Sequence, residues 1–173
     1  METLGSVARE AVLDESRFQA WLEPLLHRAY VLSYHILQDR QAAEDAVQEA
    51  TLAAWRRWHQ RRAGSPDAWF LKIAVNKARD LRRRRWFHVL RLAEPPDRSE
   101  VTPAEDLDDR PELIMALGRL SRNDRVALIL LHVMDLSHGE AAQILGLSER
   151  GLRSRERRAL GRIRPHLEVS DER

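Results

Sequence analysis

The stretch from Leu136 to Leu160, LSHGEAAQILGLSERGLRSRERRAL, constrains the fold of this chain more than any other. Ser137 followed three residues later by Glu140 reads as a capping box, in which the Ser oxygen takes an orphan helix amide and the Glu reaches back. A helix therefore starts here, with Ala141, Ile144 and Leu145 as its buried stripe. Gly146 can take the left-handed conformation that ends it. Ser148 then caps a second helix that begins at Glu149 and carries Arg150, Arg153, Arg155, Arg157 and Arg158. Two short helices meeting at a Gly, the second of them basic, have the grammar of a helix-turn-helix, whose second helix lies in the DNA major groove. A small helical hairpin with a solvated basic face has the same local pattern, so the rest of the chain must decide.

Charge is the first discriminator. The net charge of +2 conceals a strong segregation along the 173 residues. Between Ala53 and Leu92 stand Arg56, Arg57, Arg61, Arg62, Lys72, Lys77, Arg79, Arg82, Arg83, Arg84, Arg85 and Arg91, against only Asp67 and Asp80, a balance of +10. From Glu94 to Glu112 the balance is −6. Two basic blocks separated by an acidic one suggest two contacts with a polyanion, joined by a segment that avoids it. All bases but Lys72 and Lys77 are Arg, whose planar fork suits phosphate and guanine.

Upstream, Phe18, Trp21, Leu22, Leu25, Leu26, Ala29, Leu32, Ser33, Ile36 and Leu37 recur at helical spacing, and Pro24 predicts a break between a short helix and a longer one from Pro24 to Leu37. Asp39 caps the next helix, to about Trp58, with Ala42, Ala46, Val47, Ala50, Ala53 and Ala54 inward. Its other side, Glu44, Asp45, Gln48 and Glu49, is either solvated or a docking face. Ser65-Pro66 restarts a helix after the basic loop HQRRAGS. Trp69, Ile73, Asn76 and Asp80 lie on one strip of it, before the run Arg82 to Arg85 and Trp86. That strip reads either as core plus an Asp80–Arg84 pair, or as a surface for unstacked bases and their phosphates. Pro95, Pro96 and Pro103 among acids predict an extended linker. Asp109-Arg110-Pro111 opens a helix with Leu113, Ile114, Leu117 and Leu120 inside, and Ser121 with Asp124 caps another, with Val126, Leu130 and Val133 in its core stripe.

The expected architecture is all-α: two small helical domains joined by a flexible acidic linker, the C-terminal one containing the helix-turn-helix. Boundaries fall at a tail over 1–17, a first domain over 18–90, a linker over 91–109, a second domain over 110–168 and a tail over 169–173. With no Cys there is no disulfide framework, thiolate metal site or Cys nucleophile, and a reducing, cytoplasmic setting fits. The N-terminal stretch has no apolar core of signal-peptide length and no run approaches a membrane span, so no leader or span is expected; no HExxH, GxGxxG, Walker loop or GxSxG sequence occurs, and the seven His are scattered. No catalytic residue, cofactor or metal is expected. The rival classes are a free-standing helix-turn-helix regulator and a helical-bundle enzyme around His35, Glu44 and Asp45.

Three segments in this order, DRQAAEDAVQEAT from Asp39, DAWFLKIAVNKARDLRRRR from Asp67, and LSRNDRVALILLHVMDLSHGEAAQILGLSERGLRSRERRAL from Leu120, resemble the bacterial RNA polymerase sigma factors of the extracytoplasmic-function (ECF, group 4) type. The likeness runs from about Phe18 to Ile163. It implies a non-enzymatic promoter-specificity subunit made of regions 2 and 4. By resemblance, Asp45, Gln48 and Glu49 would bind the clamp helices of the largest catalytic subunit of core polymerase. Arg61, Arg62, Ser65, Trp69, Lys72, Asn76, Arg79, Asp80 and Arg83 would recognise and melt the minus-10 element, since a base out of the stack exposes its edges and faces. The linker would occupy the RNA-exit path, and Leu113 to Val133 would help form the surface for the flap of the second large subunit. Arg150, Arg153, Ser154 and Arg157 would make the minus-35 contacts. Many such proteins are held inactive by an anti-sigma factor that wedges between or covers the two domains, an arrangement the linker permits. Two positions depart from the family pattern. Gly151 stands where a Thr is common, and Glu156 falls on the stripe Leu152, Ala159, Leu160, Ile163 and Leu167, where the family usually has an apolar residue. A carboxylate there must reach solvent, pair with Arg153 or Arg157, or face a partner.

Overall fold

The computed structural model describes the backbone of residues 2–60, 65–92 and 111–167 and the side chains of 12–60, 65–85 and 115–165. Among the described residues there are helices and turns and no strand. Helices α1 (Glu2–Leu37), α2 (Arg40–Trp55) and α3 (Pro66–Leu92) pack mutually, with a 3₁₀ turn at Trp58–Gln60 before α3. Helices α4 (Pro111–Gly118), α5 (Arg122–Leu128), α6 (His138–Leu145) and α7 (Glu149–Leu167) form the second half, with a π-helical turn at Ile129–Val133 directly after α5.

The caps that the sequence predicts are formed. Asp39 accepts from the Ala42 amide at 2.9 Å, and this bond, more than the Arg85 guanidinium beside it, holds the Asp39 carboxyl below the usual carboxylate range. Ser65 accepts from Ala68 at 3.3 Å and Ser121 from Asp124 at 3.3 Å. The Ser137–Glu140 capping box is complete in both directions. Gly146 ends α6 at φ +71°, a conformation costly for a residue with a Cβ.

Pro24 does not break α1, which runs unbroken through it. Pro24 is exposed, and so is Ala20, whose carbonyl loses its helical partner, so water can satisfy the freed group. Buried Leu22 and Leu25 pin the helix on both sides of the ring. Leu26, read as inward, is 37% exposed at the rim of that stripe, and the helix after Asp39 ends at Trp55, short of Trp58.

Small side chains let the first three helices approach closely: Ala42, Ala43, Ala46, Ala50 and Ala54 of α2, with Ala68, Ala74 and Ala78 of α3, are buried around Phe70, Leu71 and Val75. Next to them Phe18, Trp21, Trp55, Trp58, Trp69 and Phe70 form a chain of ring contacts with centroids 5.0–6.0 Å apart. Asp14 of α1 accepts from the Trp58 indole at 3.1 Å and pairs with His59 at 2.7 Å, so residues read as an N-terminal tail include one that holds the turn before α3.

The two halves meet, with α3 on α6 and α1 on α5. One apolar cluster therefore runs from Phe18 and Phe70 through Ile129, Ile144 and Leu152. A second, Ala116, Leu117, Leu120, Leu128, Ala159 and Ile163, joins α4, α5 and α7. Every residue from Val31 to Leu37 is buried, because α1 is covered by the first half on one side and by α5 on the other. The expected linker, beyond the end of α3 at Leu92, lies outside the described residues.

Candidate nucleic-acid interface

The outer strip of α3 starts from the Ser65 cap. Trp69 is half-buried against Trp21, with centroids 6.0 Å apart, and Lys72 is half-buried as well. One turn further Asn76 points into solvent. Asp80 pairs with Arg83 at 3.1 Å, three residues on, instead of with Arg84. Both partners are at least half exposed, so the pair is easily exchanged for another ligand. Arg61 and Arg62 lie outside the described residues. Arg79 is the exception on this strip: its Nη1 donates to the carbonyl oxygen of Leu145 at the end of α6, at 3.3 Å. Burial, with the like charges of Arg82 and Arg155 nearby, lowers its pKa.

On α2, Asp45 and Gln48 face solvent, Asp45 accepting a 3.4 Å bond from Gln41. Glu49 is paired with Lys77 of α3 at 3.0 Å. With Glu44, also exposed, the face is thus three exposed residues and one that also ties α2 to α3.

Helix α7 presents Arg150, Arg153, Ser154 and Arg157 to solvent. At 100° per residue these four positions fall within one side of the helix, opposite Leu152, Ala159 and Ile163, which are buried. Arg153 pairs loosely with Glu149 at 3.5 Å. Arg155 and Arg162 instead reach Asp124 of α5, at 3.9 and 3.1 Å, and serve the fold. Gly151 donates its amide to the Ser148 cap oxygen at 3.1 Å, and a Cβ there would stand 3.1 Å from that oxygen. A residue larger than Gly at 151 would crowd the cap.

Glu156 reaches solvent only in part and pairs with neither Arg153 nor Arg157. It faces the interior of its half, yet its Oε1 meets His132 Nε2 at 2.9 Å and its Oε2 meets His138 Nε2 at 2.8 Å. Burial pushes its carboxyl up, but the hydrogen bonds and charges of His138 and His132 outweigh that and hold it below the usual carboxylate range. The pairing joins residues 18 and 24 positions apart, a spacing without a sequence signature. Val133, expected in the core, is 46% exposed because the π turn advances the chain by an extra residue and rotates it outward.

Two more residues stand at the junction of the halves, and the first of them has no sequence signal. Arg28 of α1 donates to the Met134 carbonyl at 2.9 Å. Glu140 is held below the usual carboxylate range by the Ser137 side chain and amide first, with lesser help from the Ser65 hydroxyl and Arg28. Thus Ser65 and Arg79, both on the outer strip of α3, touch the helix-turn-helix.

The comparisons with known proteins fit these two halves. Residues 22–88 match Sigma-70 region 2 and residues 110–163 match Sigma-70 region 4. The chain is 34% identical to the RNA polymerase sigma factor NccH of Alcaligenes xylosoxydans xylosoxydans, over 73% of this chain and 74% of that one. It belongs to the ECF sigma factors. It is 27% identical to the ECF RNA polymerase sigma factor SigE of Mycolicibacterium smegmatis, over 96% of this chain and 68% of the relative. Its fold is similar to that of the sigma factor RpoE from Bartonella quintana, solved in complex with the anti-sigma factor NepR. The TM-score is 0.75 at 27% identity, covering 88% of this chain and 98% of that one. As a sigma factor the chain works with core RNA polymerase and promoter DNA and directs transcription initiation. No helix among the described residues is long and apolar enough to cross a membrane.

Proposed function

We propose that the three surfaces divide the work of promoter opening. The α2 face with Asp45, Gln48 and Glu49 docks on the clamp helices of the largest polymerase subunit. The strip of α3, with Ser65, Trp69, Lys72, Asn76, Arg79, Asp80 and Arg83 and the preceding Arg61 and Arg62, takes up the minus-10 element. Arg150, Arg153, Ser154 and Arg157 of α7 read the minus-35 element, the arginines at guanine edges or phosphates and the serine at a phosphate. The observation that carries this reading is the division of α7. Its guanidinium groups at 150, 153 and 157 face solvent on one side of the second helix of a capped helix-turn-helix, while Arg155 and Arg162 are turned to Asp124.

The chain acts by binding, with no bond change of its own, in the cytoplasm where polymerase works. On DNA, Arg79 exchanges the Leu145 carbonyl for a phosphate or base, so the two halves part when the promoter is engaged. The likeness to RpoE bound to NepR supports an anti-sigma factor as a further partner that would hold the halves in a promoter-incompetent state.

Reconstitution tests the proposal. Core polymerase with this protein should start transcripts from a restricted set of promoters drawn from a random pool, and Asp45→Arg should abolish this while leaving the helical circular-dichroism signal unchanged. Tight, sequence-specific binding to duplex DNA by the protein alone, with no effect on polymerase, would instead favour a free-standing regulator.

A further inference from the structure

We propose that Glu156, clamped between His132 and His138, is the positioning residue of the recognition helix, fixing the roll of α7 and with it which side chains face the bases. The proposal rests on the assignment of α7 to the minus-35 element.

The argument begins with how little apolar material locates α7. Along its inward stripe at 152, 156, 159, 160 and 163, Leu152 and Ile163 are the large residues that are fully buried, and Leu160 is half-buried at its edge. Ala159 is small, and 156 is a carboxylate. Apolar contact is non-directional and tolerates rotation of a helix about its own axis. Two hydrogen bonds of 2.8 and 2.9 Å do not, because they weaken steeply with angle and distance.

The clamp also reaches the right elements. His138 is the first residue of α6, directly after the Ser137 cap, and His132 lies in the π turn that leads there from α5. One carboxylate, 17% exposed, thus joins α7 to the start of the motif's first helix and to the π turn that precedes it. The charged groups next to it on its own helix, Arg153 and Arg157, point outward, and Arg153 pairs with Glu149. Both histidine rings reach solvent, so the clamp is built at the edge of the core, where a carboxylate can be held without the full cost of burial.

The lever arm then sets the consequence. A roll of ~20° carries groups on the surface of a helix, ~6 Å from its axis, by ~2 Å. That displacement is enough to break a bidentate guanidinium contact with a base edge. Phosphate contacts, made by long side chains to a uniform backbone, survive it better. Loss of the clamp should therefore cost selectivity before it costs affinity.

The test uses the full-length protein assembled with core polymerase. Its binding to a promoter with the selected minus-35 element is divided by its binding to the same promoter with that element scrambled, and thermal unfolding of the protein is followed alongside. Glu156→Leu restores an apolar stripe and should unfold within a few degrees of the wild type, with the ratio falling about tenfold, near the low end of what one bidentate base contact supplies. Glu156→Gln should keep the ratio within about twofold, because its amide oxygen accepts from one histidine and its NH2 donates to the other. The His132→Ala, His138→Ala double variant, which truncates two solvent-reaching rings, should match Glu156→Leu, and it carries the test if Glu156→Leu does not fold. An unchanged ratio in either clamp-less protein overturns the proposal, as does an equal fall in Glu156→Gln. A wild-type ratio near one overturns the assignment of α7 itself, a different failure from that of the clamp.

Discussion

The two helices proposed to read the promoter, α3 and α7, are seated by opposite means. Helix α3 rests on Phe70, Leu71, Val75 and a chain of aromatic rings, with its polar strip laid over the top. Helix α7 rests on a thinner apolar stripe, supplemented by Glu156 with its two histidines and by Asp124 with Arg155 and Arg162. An apolar seat sets position by shape and responds to volume. An ionic seat sets it by direction and responds to charge. The two proposed DNA-reading surfaces are therefore exposed to different perturbations.

The sharpest way to break this contrast is to remove volume under α3. Phe70→Ala should cost about 3–5 kcal/mol in urea unfolding, since the side chain is fully buried among small neighbours that can collapse only partly. A cost below about 1 kcal/mol would mean that α3 is not seated on this core.

Acid tests the junction of the halves. Burial first, and the nearby Arg125 second, lower the pKa of His35 from 6.5 to about 4. Its folded pKa lies below its unfolded one, so the stabilisation is complete above pH 6.5 and is lost as pH falls towards 4. The full window is about 3 kcal/mol. Unfolding midpoints across this range should fall in the wild type, and His35→Leu should flatten the slope. Glu156 has the same sign at lower pH: its depressed pKa stabilises the second half above the ordinary carboxylate range, and that support is lost in stronger acid.

A smaller effect isolates the motif itself. Ser137→Ala removes the cap of α6 and should cost about 1 kcal/mol, read as a lower unfolding midpoint. Smallest of all, Arg83→Ala should change stability by less than about 0.5 kcal/mol, because its pair with Asp80 is exposed. Yet it should weaken promoter binding and shallow its salt dependence by about one phosphate contact, measured by holoenzyme titration at several salt concentrations.

What could be read from the sequence follows the range of the forces involved. Caps are local, so Asp39, Ser65, Ser121, Ser137 and Gly146 announce their elements within three or four residues. Helical stripes were legible where one face meets one neighbour, as in α6. They misled where the helix geometry changes, as at Val133, and where solvent can satisfy a missing bond, as at Pro24. Among the site residues, the exposure of Arg150, Arg153 and Arg157 follows from periodicity, whereas that of Asn76 does not, because periodicity leaves its strip open between core and surface. The engagement of Arg79 with Leu145 and of Glu156 with two histidines does not, because each joins segments that only the tertiary fold brings together.

The π turn at Ile129–Val133, closed by the Met134 amide on the Ile129 carbonyl at 2.9 Å, amounts to one surplus residue in the helix that begins at Arg122. A helix that absorbs an extra residue offsets its later side chains by about 100° relative to those before it. That offset turns Val133 outward and brings His132 to the Glu156 carboxylate. A deletion of a single position between 129 and 133 would restore the ordinary winding and swing the histidine away, leaving the acid on α7 with one partner. Residue count in this short segment, as much as residue identity, is therefore under constraint.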